Sequence, residues 1–139
     1  MHKKIIKQSG FHLMEILITI TLVGILFSFA VPSFTHYLVR SHRLEAENML
    51  LKLAIAMDHY HFEHNDYDNV TLEALHFPEF VAAKSYQLRI HSDENTDYIL
   101  SAIPLEKQVS RDRLCGTLML NSLGEKKISG DGEIFDCWY

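Results

Sequence analysis

One carboxylate stands at the head of a long uncharged segment near the N-terminus. Glu15 precedes residues 16–39, a run of 24 residues without Lys, Arg, Asp or Glu. At 1.5 Å per residue this run gives about 36 Å of helix, enough to cross a bilayer core of about 30 Å. A carboxylate at the bilayer centre costs roughly 2.5–3.5 kcal/mol, and less near the edge. Glu15 therefore needs a nearby cation, and the chemistry that this residue can perform is charge pairing.

A cation becomes available if the chain is cut before the apolar run. The first ten residues carry three lysines and no acid, and they end at Gly10. Cleavage after Gly10 leaves a free ammonium on Phe11, at the same end of the helix as Glu15. In a bundle of parallel, staggered helices, Glu15 of one subunit can pair with the Phe11 ammonium of a neighbour, which lowers the cost of both charges.

Two other interpretations of this N-terminus compete. An ordinary secretory signal peptide is cut behind its apolar stretch, and Ser28-Phe29-Ala30 loosely resembles such a site. A plain membrane anchor keeps the whole segment. Neither gains anything from Glu15, so the sequence favours loss of residues 1–10. The basic stretch should face the cytoplasm and the rest of the chain the outside.

A run at this boundary resembles the prepilin signature of type IV pilins and type II secretion pseudopilins: Gly10-Phe11-His12-Leu13-Met14-Glu15-Ile16-Leu17. The resemblance implies a leader, residues 1–10, that a membrane aspartyl prepilin peptidase removes after Gly10. It also implies N-methylation of Phe11 and a role for Glu15 in assembly. His12 and Met14 depart mildly from the usual signature, and neither touches the cleavage chemistry.

Gly24 and Pro32 lie inside the apolar segment. Proline removes a backbone donor and clashes with the preceding turn, so we expect a kink or local loosening of the helix. The family resemblance implies the same. A proline that is simply tolerated in a transmembrane helix is the alternative.

Helical periodicity continues from about residue 34 to residue 64, with apolar residues on two arcs. Arc A comprises Ala46, Leu50, Leu53, Met57 and Tyr60, and arc B comprises Leu44, Leu51, Ile55 and Phe62. A helix packed only on one sheet needs one apolar face. We therefore expect one arc to cover the chain's own sheet and the other to contact neighbouring helices. A helix buried entirely within its own domain is the alternative.

Histidines and acids near the end of this helix raise a metal hypothesis. Of the three nearby histidines only His61 and His64 share a face, and two ligands are too few for a closed site. Asp66 and Asp68 lack the glycine and distal glutamate of an EF-hand, so we expect a plain turn. No nucleophile motif, phosphate loop or Cys-x-x-Cys pair is present. We expect no enzyme activity, no metal and no cofactor.

Three strand-like runs follow, at residues 86–90, 98–103 and 116–121. Residues 93–96 are typical of a hairpin loop, and residues 71–84 of a short helix or irregular connector. Linked runs of this kind form an antiparallel meander. With the family resemblance, the expected fold class is α+β: a pilin fold in which a long N-terminal helix packs on a small sheet of about three to four strands. The expected divisions are a transmembrane helix at 11–34 and a globular domain at 35–139.

Cys115 and Cys137 are the two cysteines. An even count behind an export-type N-terminus favours one disulfide in an oxidising compartment, although two buried free thiols are the alternative. A bridge would close a Gly-rich tail and stabilise the domain by roughly 3–4 kcal/mol. The region from Cys115 to Trp138 resembles the end of PilE-like minor pilins, which implies a surface for contacts with other subunits or a receptor.

The charge balance argues against nucleic acid as a partner. The net charge is −5, and it becomes −8 when the three lysines of residues 1–10 are removed. Clustered Lys and Arg are needed to bind phosphates. The candidates for a basic stripe are Arg111, Arg113, Lys126 and Lys127, and their acidic neighbours are Asp112, Glu125, Asp131 and Asp136. We expect weak or no DNA binding.

The resemblance implies a structural subunit of a type IV pilus, most closely a minor pilin. A type II secretion pseudopilin and a DNA-uptake receptor pilin are the alternatives. The expected partners are other pilin subunits of the same and different kinds, the prepilin peptidase, the inner-membrane assembly platform and membrane lipid. The protein would lie in the inner membrane with its soluble domain in the periplasm, and later in an extracellular pilus.

Overall fold

The computed structural model describes residues 12–92 and 97–139, and the chain divides into two compact units. The first unit ends at His36, and the second is Tyr37–Tyr139. Helix α1 (Leu13–His64) contributes residues to both. Among the described residues, α1 is the one helix that is long and apolar enough to cross a membrane, judged by length and composition.

Five antiparallel strands of the second unit form one sheet, in the order in which they follow along the chain. They are β1 (Phe80–Val81), β2 (Tyr86–Ser92), β3 (Tyr98–Pro104), β4 (Leu118–Asn121) and β5 (Lys126–Ile128). Helix α2 (Glu106–Arg111) lies between β3 and β4, and helix α3 (Ile134–Cys137) follows β5. The α+β meander is confirmed. The sheet has five strands where three to four were predicted, because β1 and β5 are too short to show alternation.

Element boundaries follow local backbone chemistry. Helix α1 ends at His64 because Asn65 adopts a left-handed φ of 62°, and its amide donates to the His61 carbonyl at 2.7 Å. Strand β4 begins two residues later than predicted. Gly116 has a φ of 61° and its amide donates to the Asp112 carbonyl, so it belongs to a turn. The predicted loop at 93–96 lies outside the described residues.

The core of the second unit lies between α1 and the sheet. Ala46, Leu50, Leu53 and Met57 of arc A are fully buried. Opposite them, alternate residues of the strands point inward, including Leu88, Leu100 and Leu118. Residues i and i+2 of a strand share one face, which gives β3 its alternating burial. Each buried leucine contributes roughly 1.5–3 kcal/mol relative to an exposed one.

Candidate functional site

The N-terminal carboxylate lies in the first turn of α1. Glu15 is exposed, and its amide donates to the His12 carbonyl at 2.9 Å, which begins the helix. Gly10 and Phe11 lie outside the described residues. Cleavage after Gly10, methylation of Phe11 and pairing of Glu15 with a neighbouring ammonium therefore stay predictions.

The apolar segment behind Glu15 exposes its side chains along its whole length, from Leu13 to Phe34. Most of its hydroxyl groups are nevertheless satisfied within the helix. Four hydroxyls, those of Thr19, Thr21, Ser28 and Thr35, each donate to a carbonyl three or four residues earlier, at 2.6–2.8 Å. Such internal bonds remove the penalty for placing a hydroxyl in hydrocarbon. The segment therefore suits an apolar medium.

Gly24 and Pro32 both lie within this part of α1. A Cβ at Gly24 would meet nothing within 4 Å, so the glycine is not required by close packing in the first unit. Helix α1 continues through Pro32. A kink or loosening at these residues stays a prediction.

Further along α1, the two apolar arcs differ in solvent exposure. The arc A residues that point into the core have no exposure, whereas all four residues of arc B are exposed, Ile55 at 70% and Phe62 at 86%. The polar residues Glu45, Asn48, Lys52, His59 and Glu63 are exposed as well. Arc B is therefore an apolar strip that the second unit itself leaves uncovered.

The predicted disulfide between Cys115 and Cys137 is formed, with Cα atoms 5.5 Å apart and both residues buried. It ties the loop before β4 to α3, and so to the C-terminal residues that lie against α1. The Trp138 indole donates to the Lys127 carbonyl at 3.2 Å, which fastens the same tail to β5.

A buried polar cluster lies directly beside the disulfide. The Arg43 guanidinium donates to Oδ1 of Asp112 at 2.8 Å and also to Sγ of Cys115. The other oxygen of Asp112 accepts from the Tyr86 hydroxyl at 2.9 Å and from the Gln108 amide at 3.2 Å. Burial, reinforced by the Asp112 charge, raises the pKa of Tyr86, so its hydroxyl stays protonated and donates. The cluster joins α1, β2, α2 and the disulfide.

Glu47 extends this cluster one helical turn along α1. Its side chain is buried, and Oε2 accepts from the Tyr139 amide at 2.9 Å, whereas Oε1 has no partner among the described residues. Burial raises the pKa of Glu47, an effect that the Tyr139 amide and then Arg43 oppose. Arg40 lies 4.3 Å from the centre of the Tyr139 ring and completes the contact with the tail.

Sequence reasoning missed this polar cluster. A signal did exist on α1, because Arg43 and Glu47 fall at the spacing i, i+4 on the same face as Leu50. Charged residues within an apolar arc indicate buried pairing. Asp112 offered no such signal. The sequence showed it only as an acidic neighbour of the candidate basic stripe, whereas its side chain is buried against Arg43.

Two of the three histidines near the end of α1 stack on tyrosines. His64 lies 4.1 Å from Tyr60, and His61 lies 4.7 Å from Tyr67, between ring centres. Within residues 12–92 and 97–139, no group of three His, Cys, Asp or Glu side chains is arranged to hold a metal ion. Tyr67 is buried and also meets Tyr98 edge-on at 5.0 Å, so the predicted turn closes the end of the core.

The predicted basic residues differ in their surroundings. Arg111, Arg113 and Lys127 are exposed, whereas Lys126 is half-buried with its ammonium 5.2 Å from the Trp138 ring. Exposed apolar side chains of the same region include Leu114 and Phe135.

The long apolar N-terminal helix, the antiparallel meander and the C-terminal disulfide are features of the type IV pilin class. A model of the family described as "Type IV minor pilin ComP, DNA uptake sequence receptor" matches residues 32–119. Because this match covers more than half of the 139 residues, the chain belongs to that family. The resemblance to type IV pilins is confirmed.

Curated relatives match smaller parts of the chain. The type IV major fimbrial protein FimA of Dichelobacter nodosus is 39% identical over 51 residues, which are 35% of this chain and 32% of that protein. The type II secretion system core protein G of Vibrio cholerae is 33% identical over 75 residues, 52% of this chain and 51% of that protein. The chain thus spans about a third of the first relative and about half of the second.

Proposed function

We propose that the chain is a structural subunit of a type IV pilus, of the minor pilin kind, and that it acts by assembly and not by catalysis. The observation that carries this proposal is the uncovered apolar surface of α1, in the first unit and again on arc B. Exposed apolar surface of this extent marks a membrane or protein contact. Lipid would cover the first part before assembly, and neighbouring helices would cover both parts in the filament.

Maturation of the chain follows from the resemblance of its N-terminus. Prepilin peptidase would remove residues 1–10 after Gly10, and the new terminus, Phe11, would be N-methylated. Residues 11–34 would hold the protein in the inner membrane, with residues 35–139 in the periplasm. The inner-membrane platform would then insert the subunit among pilins of the same or other kinds. After assembly, the soluble domain would be exposed on an extracellular pilus.

Glu15 supplies the charge that this assembly needs. In an apolar bundle an unpaired carboxylate is unfavourable, and a neighbour's Phe11 ammonium would neutralise it. The test compares Glu15→Ala with Glu73→Ala, an exposed carboxylate of the second unit. We expect Glu15→Ala protein to accumulate in the membrane and to be missing from sheared pili, whereas Glu73→Ala protein is incorporated.

Mass spectrometry of the mature protein from sheared pili checks the same proposal independently. The expected chain begins at Phe11 and carries one added methyl group. Normal incorporation of Glu15→Ala protein, or a mature chain that starts beyond Phe11, would refute the proposal.

A DNA-uptake receptor is a second candidate, because the description of the matching family names that role. Against it, four exposed cations near α2 and β5, Lys107, Arg111, Arg113 and Lys127, provide few phosphate contacts, and the chain is acidic as a whole. We propose that the full chain binds DNA weakly or not at all. A mobility-shift titration of the detergent-solubilised protein tests this. Salt-dependent, sequence-selective micromolar binding that Arg111→Ala with Arg113→Ala abolishes would overturn it.

A pseudopilin is the third candidate, since one relative is named as a core protein of a type II secretion system. A deletion strain separates the two roles. Loss of pili with normal protein secretion supports the pilus subunit, and normal pili with lost secretion supports the pseudopilin.

A further inference from the structure

A small basic pocket lies in the second unit, beside the first residues of α1 that belong to this unit. It has a volume of about 340 Å³, and its lining includes Leu38, Val39, His42, Lys84, Lys107 and Arg111. The space would hold about ten water molecules at liquid density, which suits a small charged group with a few attached polar atoms.

The charge of this pocket is opposite to that of the protein. Three permanent cations line it against one acid, Glu106, whereas the whole chain has a net charge of −5. Within residues 12–92 and 97–139, the ion pairs formed are Arg43 with Asp112 and the weaker His59 with Glu63. None of the three pocket cations therefore forms an ion pair with a carboxylate among those residues, and together they suit an anion with several oxygens.

Hydrogen bonds hold the walls of the pocket in place. The Ser85 hydroxyl lies 2.9 Å from Nδ1 of His42, which joins the β1–β2 turn to α1. The Leu105 amide donates to the Ser85 carbonyl at 2.8 Å, and the Gln108 side chain donates to the Val39 carbonyl at 3.1 Å. These bonds hold the residues around the pocket in place before any ligand binds.

Chain continuity places this pocket at the end of the apolar segment. Leu38 and Val39 are the last residues of the uncharged run 16–39 and also line the pocket. If residues 11–34 span a membrane, as proposed above, Leu38 and Val39 follow about one helical turn later, at the height of the lipid headgroups. Basic residues next to a membrane span attract anionic lipids.

We propose that this pocket binds the headgroup phosphate of an anionic phospholipid, with Lys84, Lys107 and Arg111 around the phosphate and Leu38 and Val39 toward the acyl chains. This inference rests on the proposed membrane stage of the protein. Lipid binding would hold the soluble domain against the bilayer until the subunit is taken into a filament.

Native mass spectrometry of the full chain, released from nonionic-detergent micelles, tests the proposal. The micelles contain increasing phosphatidylglycerol, phosphatidylcholine or inorganic phosphate. Lys84→Gln with Lys107→Gln is compared with Lys52→Gln with Lys127→Gln, which removes the same charge from exposed positions outside the pocket. Each pocket charge should contribute about fivefold, so the pocket variant should bind phosphatidylglycerol about 25-fold more weakly than wild type.

The control variant should bind within about threefold of wild type, and phosphatidylcholine should bind more weakly than phosphatidylglycerol because its headgroup carries its own cation. Equal loss in the pocket and control variants would overturn the proposal. Inorganic phosphate that binds as tightly as phosphatidylglycerol would overturn the lipid assignment. Because the assay needs no filament, specific lipid binding by a protein that is absent from pili would defeat the proposed function and leave this inference standing.

Discussion

Loss of the Asp112 carboxylate should destabilise the second unit strongly. Asp112 accepts hydrogen bonds from Arg43, Tyr86 and Gln108 at 2.8–3.2 Å, and its side chain is only 5% exposed. The substitution Asp112→Ala leaves the Arg43 guanidinium buried without its counter-charge. Breaking one side of a buried ion pair in this way costs about 3–5 kcal/mol.

Urea unfolding of the full chain in nonionic detergent measures this loss. The single tryptophan, Trp138, is buried next to the disulfide, so its fluorescence reports on the affected region. Asp131→Ala is the matched control, because Asp131 is exposed and the change should cost less than about 0.5 kcal/mol.

A double-mutant cycle with Arg43→Met separates pairing from simple loss of packing. Removing Arg43 in the Asp112→Ala background also removes the uncompensated charge, so the two losses should not add. We expect the double variant to be more stable than the sum predicts by at least about 1 kcal/mol. Additivity within about 0.5 kcal/mol, or a cost of Asp112→Ala no larger than that of Asp131→Ala, would refute the buried pair.

Three further predictions use the same unfolding assay. Glu47→Gln should raise the free energy of unfolding at pH 7, because burial raises the pKa of Glu47 above its ordinary 4.5 and so penalises the ionised form in the folded state. The gain should shrink as the pH falls and vanish below about pH 4.5, and a gain independent of pH would contradict this cause. Reduction of the Cys115–Cys137 bridge should cost roughly 3–4 kcal/mol, and a loss under about 1 kcal/mol would show that the tail is held by other contacts. Leu53→Ala should cost about 2–5 kcal/mol and Ile55→Ala less than about 1 kcal/mol, because arc A is buried and arc B is exposed; equal losses would show that both arcs are buried.

The helix and its two faces were predictable because their signal is local. Every residue from 34 to 64 contributes to one periodic pattern, and the pattern separates arc A from arc B before any tertiary contact is known. The structure then assigns arc A to the chain's own sheet. The three longer strands were predictable from local runs too: residues 86–90 alternate apolar and polar residues, and residues 98–103 and 116–121 are rich in apolar residues.

Short elements and long-range polar contacts carry no such local signal. Strand β1 has two residues and β5 has three, and both exist only because a longer neighbour pairs with them. Helix α2 begins at Glu106 with a left-handed φ of 45°, which no helical pattern predicts. The Asp112 partnership joins residues 69 positions apart, so it depends on the completed fold.

The buried polar cluster fixes the position of α1 more specifically than the apolar core does. The fully buried residues of arc A are Ala, Leu and Met, side chains that adapt to shifted packing, so burial alone fixes the position of α1 weakly. Arg43 and Glu47 lie within that arc, and each forms a directional hydrogen bond that fixes its position. Arg43 donates to Asp112, and Glu47 accepts from the Tyr139 amide. We therefore expect the variant Arg43→Met with Asp112→Ala to keep much of its unfolding free energy but to lose near-ultraviolet circular dichroism from Trp138, as the tail takes several positions. An unchanged near-ultraviolet spectrum in that variant would show that the disulfide and the core position the tail by themselves.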